Sequence, residues 1–194
     1  MNRYDILIVG VGGQGVLLAS ELLSAVALEA GYDVKKSEVH GMAQRGGSVS
    51  SHVRLGDHVY SPLIPGGSAD VLLAFEQAEA LRWVHAFKSG GVAIVNEKRL
   101  VPPIALLRRG PTYPVDPLAA IRNRAGRVLS VSAERIARNL GNPKVENTVL
   151  LGSLSRFLDI PEYVLKRAIQ ERAPAGTTDV NQKAFQAGIG ASGG

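Results

Sequence analysis

Cysteine is absent from the sequence. The chain therefore has no thiolate with which to hold an iron–sulfur cluster in the usual way, complete a Cys zinc site, form a disulfide or attack a substrate. Any redox metal of the system must sit on a partner. Aromatic residues are also scarce, with 1 Trp, 5 Tyr and 4 Phe in 194 residues, which leaves little stacking surface for nucleic-acid bases. Apolar runs are short, and none reaches the about 18 residues a membrane-spanning helix needs. Arg3 ahead of an apolar stretch imitates a secretory signal, but Asp5 and the glycines from Gly10 to Gly15 interrupt it. A cytoplasmic protein that does not engage a membrane is expected.

Catalytic signatures are missing as well. His40, His52, His58 and His85 fall at no metal-like spacing, there is no G-x-S-x-G elbow, and the glycine motif lacks the Gly-Lys-Ser/Thr ending of a phosphate loop. Nor does Gly56-Asp57-His58 open a thiamine-diphosphate motif. No catalytic residue and no metal ligand are assigned to this chain.

The residues that are present describe an ordinary globular protein. A chain of 194 residues that is 45% hydrophobic buries roughly 70% of its unfolded surface and needs no covalent staple. Tyr4 to Val9 reads as a strand, Gly10 to Gly15 as a turn, and Val16 to Ala30 as a helix closed by Gly31. Only Ser20, Glu21, Ser24 and Glu29 are polar in that helix, so its apolar surface is wider than one stripe and one side is expected to meet a partner chain.

A second strand begins at Val34, and Glu38 to Gly47 reads as a loop. Val49, Ser51, Val53 and Leu55 alternate with Ser48, Ser50, His52 and Arg54, suggesting a strand with one wet face, and Gly56-Asp57 suggests a hairpin into Val59-Tyr60. Asp70 to Glu76 reads as a buried strand, with a helix from there to about Lys88 and a Gly90-Gly91 stop before the strand Val92 to Val95. Val128 to Val131 is a further strand and Ala133 to Leu140 its helix. From Asn147 the pattern is helical, with a second helix from Pro161 to about Glu171.

This alternation predicts a three-layer α/β/α sandwich around a mostly parallel, Rossmann-like sheet with an antiparallel hairpin. A single domain is expected over residues 1–187. Val180 to Ala187 should dock as a last helical turn, and Gly188 to Gly194 should form a disordered tail.

Gly10-Val-Gly-Gly-Gln-Gly15 satisfies G-x-G-x-x-G between a strand and a helix, where backbone amides can approach an anion and the helix N-terminus adds partial positive charge. Three readings stay open. One is a stand-alone NAD(P)-binding oxidoreductase, although Lys35-Lys36-Ser37 occupies the region where a ribose-binding acid belongs. Another is a different anionic ligand or a partner contact, and the third is a structural turn. In the following loop Arg45 could grip a phosphate or carboxylate, while Gly46-Gly47 would let a backbone come close; a loop closing on a partner subunit explains it equally. Glu76 suits a helix cap better than chemistry. The basic residues Arg108, Arg109, Arg122, Arg124 and Arg127 raise nucleic acid as a rival, but the interspersed acids and a net charge of +5 favour a solvated face or an acidic protein partner.

Ile8 to Gly15, the segment Ser37 to Gly47 leading into Ser51-His-Val-Arg54, and Gly141-Asn-Pro143 with Asn147 to Gly152 together resemble the gamma domain of 2-oxoacid:ferredoxin oxidoreductases. The resemblance covers about residues 4–187. It implies a subunit of a complex that oxidatively decarboxylates a 2-oxoacid, here an arylpyruvate such as indolepyruvate, with coenzyme A as co-substrate. The products would be an acyl-CoA, CO2 and reduced ferredoxin. A large alpha subunit would carry thiamine diphosphate and [4Fe–4S] clusters and pass electrons to ferredoxin, and this chain would bind neither cofactor and be inactive alone. By the same resemblance, Gly12, Gly13, Gln14 and Gly15 form a turn near the partner's site. Gln44, Arg45, Gly46 and Gly47 form a loop facing coenzyme A or the subunit interface.

Overall fold

The computed structural model describes residues 2–40, 46–101 and 113–191. Six strands form one sheet in the order β2-β3-β1-β4-β5-β6. They are β1 (Tyr4–Val11), β2 (Asp33–His40), β3 (Ser48–Gly56), β4 (Ala69–Ala74), β5 (Phe87–Asn96) and β6 (Arg127–Val131). β1, β4, β5 and β6 are mutually parallel, whereas β3 runs antiparallel to both β1 and β2. The helices are α1 (Val16–Glu29), α2 (Gln77–Arg82), α3 (Pro117–Arg122), α4 (Ala133–Asn139), α5 (Glu146–Ser155), α6 (Glu162–Arg172) and α7 (Thr178–Ala191). Among the described residues no helix is long and apolar enough to cross a membrane.

The three layers follow from strand alternation. Ile6 and Ile8 of β1, Val53 and Leu55 of β3, Leu73 of β4 and Ile94 of β5 face α1, α5, α6 and α7 in the larger core. Leu7, Val9, Leu72, Ala93 and Val95 point the other way into a smaller core with Ile64, Ala80 of α2 and Ile121 of α3. β1 is buried from Asp5 to Gly10 because it is covered on both faces and flanked on both edges.

Several expectations differ from what the chain does. The antiparallel hairpin lies between β2 and β3, with Asp33 opposite Gly56 and His40 opposite Val49; Glu38, Val39 and His40 are therefore strand, and Val59-Tyr60 is not. The face of β3 expected to be wet is covered. Arg54 donates to the carbonyls of Ser61 (3.0 Å) and Leu63 (2.9 Å), and the Ile64 N–H donates to Nδ1 of His52 (3.2 Å), which straps the segment after β3 across it. The helix after β4 stops at Arg82 rather than near Lys88, since Phe87 already pairs with Ala69, and β5 runs through Gly90-Gly91. A Cβ on Gly91 would meet the Lys88 and Asp70 carbonyl oxygens at 3.0 and 3.1 Å, so this glycine permits the close pairing it was expected to end.

The final helix begins at Thr178 and continues past Ala187 to Ala191. Gly188, expected in a disordered tail, is buried against α5; a Cβ there would overlap the Val149 carbonyl, and one on Gly152 would overlap the Phe185 carbonyl. Glycine on both helices is what lets their backbones touch. Residues 192–194 lie outside the described residues.

Candidate functional site

The carboxyl ends of β1, β4 and β5 share one edge of the sheet, where open α/β folds place their ligands. β1 enters the glycine turn there. A Cβ on Gly10 would lie 2.8 Å from both Gln14 Oε1 and Val16 Cγ2 and 2.9 Å from Phe75 Cβ, so only glycine fits. Gly13 and Gly15 adopt φ of +96° and +86°, which a side chain would strain. Gln14 fastens the turn from inside: Oε1 accepts from the Val11 N–H at 2.7 Å and Nε2 donates to the Phe75 carbonyl at 3.0 Å.

Two of the glycine clusters singled out in the sequence are brought together. The Gly12 N–H donates to the Gly47 carbonyl at 2.8 Å, continuing the pairing of Val11 with Ser48. Gly13 and Gly46 are exposed, and no atom of the described residues lies within 4 Å of where their Cβ atoms would stand. Gln44 and Arg45 lie outside the described residues. The turn's amides are already partly used, since Val11, Gly12 and Gln14 each donate inward. Gly13 and Gly15, with the first turn of α1, keep outward donors among the described residues, and no side chain caps that helix.

The third segment of the family resemblance arrives from the far end of the chain. Asn147, in the first turn of α5, lies over the turn, with Nδ2 3.5 Å and Cγ 3.8 Å from where a Gly15 Cβ would be. Beside it runs a polar chain that the sequence reading missed. The Phe75 carbonyl that receives Gln14 also receives Nδ2 of the fully buried Asn96 (3.2 Å). Asn96 Nδ2 also donates to Glu146 (2.5 Å), Asn96 Oδ1 accepts from the Ala133 N–H (3.2 Å), and Glu146 pairs with Lys98 (2.8 Å). Its signal in the sequence was slight: one amide directly after the apolar run ending at Val95.

Carboxylates at this edge hold structure. Glu76, 1% exposed, caps α2 by accepting from the Glu79 N–H at 2.9 Å and also takes the Leu100 N–H (3.1 Å) and the Tyr113 hydroxyl. Burial, and then that carboxylate acceptor, push the Tyr113 phenol well above its ordinary range. Asp70, at the other end of β4, accepts from the Asp5 N–H and pairs with Lys88. No cluster of His, Asp and Glu suited to a metal ion occurs among the described residues.

Topology argues against a dinucleotide site. In a dinucleotide-binding fold the parallel strand beside β1 supplies the ribose-binding acid. Here the antiparallel β3 takes that place, Ser48 stands beside Val11, and Lys35-Lys36 lie one strand further out at the sheet edge.

Fold and site thus define a Rossmann-like α/β sandwich with an antiparallel strand inserted beside the glycine-turn strand. The chain belongs to the Pyruvate ferredoxin/flavodoxin oxidoreductase family, which it matches over residues 5–191. It is 43% identical to the indolepyruvate oxidoreductase subunit IorB of Thermococcus kodakarensis over 197 residues, covering 99% of this chain and 97% of that one. The subunit of the same name from Pyrococcus horikoshii is also 43% identical, with 99% and 97% covered. Among solved structures it resembles a 2-oxoglutarate:ferredoxin oxidoreductase from Magnetococcus marinus, determined with 2-oxoglutarate, coenzyme A and succinyl-CoA bound. The TM-score is 0.76 at 20% identity, covering 99% of this chain and 31% of that chain.

Proposed function

We propose that this chain is the smaller subunit of a 2-oxoacid:ferredoxin oxidoreductase acting on arylpyruvates such as indolepyruvate. The full reaction joins the 2-oxoacid to coenzyme A, releases CO2, and passes two electrons to ferredoxin. The observation that carries this reading is similarity along the whole chain to subunits named for indolepyruvate oxidation. The [4Fe–4S] clusters fall to the large partner subunit, because a chain without cysteine has no usual cluster ligands, and thiamine diphosphate is assigned to the same partner by the family resemblance. The cofactors supply bond cleavage and electron transfer; this chain supplies binding, orientation and exclusion of water.

Within that reading, Gly12 and Gln14 shape the turn through the bonds to Gly47, Val11 and Phe75. Gly13 and Gly15 leave outward amides at the positive end of α1 for an anionic group, and Gly46 and Gly47 allow a close approach beside them. Gln44 and Arg45 are assigned in this proposal to contacts with coenzyme A or the subunit interface. Arg45→Ala should raise the KM for coenzyme A by the loss of a charge-assisted contact of about 1.5–3 kcal/mol. An unchanged KM in the reconstituted complex would reject that role.

The test of the whole reading is co-expression with the large subunit, followed by assay of coenzyme A-dependent reduction of ferredoxin by indolepyruvate. Co-purification and activity only in the presence of both chains are expected. Turnover by the purified small chain alone, or failure of the two chains to associate, would overturn the proposal.

A further inference from the structure

The end of the molecule opposite the glycine turn carries a cluster of cations with no assigned role. Arg122 closes α3, Arg124 follows in the turn, and Arg127 opens β6. The turn is fixed: the Gly126 N–H donates to the Gly91 carbonyl at 3.1 Å, and a Cβ on Gly126 would stand 2.6 Å from Gly90 Cα. The Arg127 guanidinium lies 5.6 Å over the Phe157 ring, which brings the end of α5 and Arg156 beside it.

All four arginines are exposed, and none makes an ion pair with a carboxylate of the described residues. Several other cations are paired. Arg3 and Lys88, at the same end, pair with Asp5 and Asp70, and Lys98, Arg138, Lys166 and Arg167 are paired elsewhere.

We propose that Arg122, Arg124, Arg127 and Arg156 form a docking surface for a carboxylate-rich protein. Four guanidinium forks on a fixed backbone match carboxylates, which accept them in pairs of parallel hydrogen bonds. Nucleic acid fits less well. Phe157, the ring that adjoins the patch, is covered by Arg127, so it offers no open stacking face there. The inference does not depend on the function proposed for the glycine turn, which lies at the other end of the strands.

The experiment uses the full chain and labelled poly-L-glutamate, with a single-stranded oligonucleotide of equal charge as the competing probe, over a range of salt. The patch variant is Arg122→Gln/Arg124→Gln/Arg127→Gln/Arg156→Gln. The control, Lys35→Gln/Arg82→Gln/Arg135→Gln/Arg138→Gln, removes as much charge elsewhere. Poly-L-glutamate should bind more tightly than the oligonucleotide, and the patch variant should bind it about tenfold more weakly while the control stays close to wild type. Thermal melting monitors folding, and Arg122→Gln/Arg124→Gln, with a smaller loss expected, replaces the full set if that set unfolds. Equal losses in the patch and control variants, preference for the oligonucleotide, or no binding by the wild type would each overturn the proposal.

Discussion

Asp5 and Arg54 are 4% and 7% exposed, and their contact is two-pronged, with Nε to Oδ1 at 2.8 Å and Nη2 to Oδ2 at 3.2 Å. Arg54 also anchors the strap after β3, so one guanidinium joins two strands and a loop. Asp5→Ala leaves that buried cation without its carboxylate and should cost about 3–5 kcal/mol. Asp5→Leu/Arg54→Met removes both charges and should cost less than Asp5→Ala; urea unfolding of the variants decides this, and a double mutant weaker than the single would contradict it. His52 is a second residue whose environment has a measurable consequence. Burial holds its imidazole below the ordinary value of 6.5, because the charged ring would lose water. Between the lowered folded pKa and 6.5 the unfolded chain binds more protons, so His52 favours folding above 6.5 and that contribution is lost as pH falls through the folded pKa. His52→Asn, whose Oδ1 can still accept the Ile64 N–H, should show a shallower loss of stability on acidification than wild type. Parallel urea titrations from neutral to mildly acid pH would reveal an unchanged slope if another group were responsible.

At the level of elements, the tightest constraint is the crossing of α5 and α7. Ser153 Oγ donates to the Gly188 carbonyl at 2.9 Å, and Gly152 and Gly188 leave no space for a Cβ between the helices. Gly188→Ala must push the helices apart, an overpacking cost of about 1–3 kcal/mol. In a chain of this size that lowers Tm by roughly 2–4 °C per kcal/mol; Gly190→Ala, where no atom of the described residues stands within 4 Å of the new Cβ, should be neutral or stabilising by comparison in the same melting experiment. Local chemistry explains which elements could be read in advance. β4 and β6 are short apolar runs, Glu76 is a cap directly before α2, and α4 and α6 have periodic burial, so each carries its own signal. The last part of β2 does not: Glu38, Val39 and His40 follow no apolar run and continue an edge strand whose register is set by β3. Glycine misled twice, at Gly91 and Gly188, where it marks close backbone approach rather than a break. The two glycine clusters of the site were legible as motifs. Asn96 was not, because its role depends on three segments meeting at the Phe75 carbonyl, Glu146 and the Ala133 N–H.

The whole molecule presents two ends, one with exposed glycines and one with exposed arginines that pair with no carboxylate of the described residues. The partner-facing reading of the first end predicts a separation of folding from assembly. Gly13→Asn and Gly13→Trp both place a side chain at φ +96° and should each cost about 1–2 kcal/mol, yet only the bulky ring should block reconstitution with the large subunit. Co-elution and activity of both variants measure this, and equal association by the two would show that Gly13 stays clear of the interface. The inserted strand has a further consequence, for the order of events during synthesis. β1 lies between β3 and β4, so Tyr4 waits for Leu55 and Ile6 for Val71 before either edge of β1 is satisfied. Closing so long a loop delays pairing. Meanwhile the all-apolar segment Ile6-Leu7-Ile8-Val9 leaves the ribosome with both edges bare, and the larger core is finished only when Ala184 and Phe185 follow more than a hundred residues later. During that interval the nascent chain is a natural client for a holding chaperone, and its first strand is the segment such a chaperone would cover.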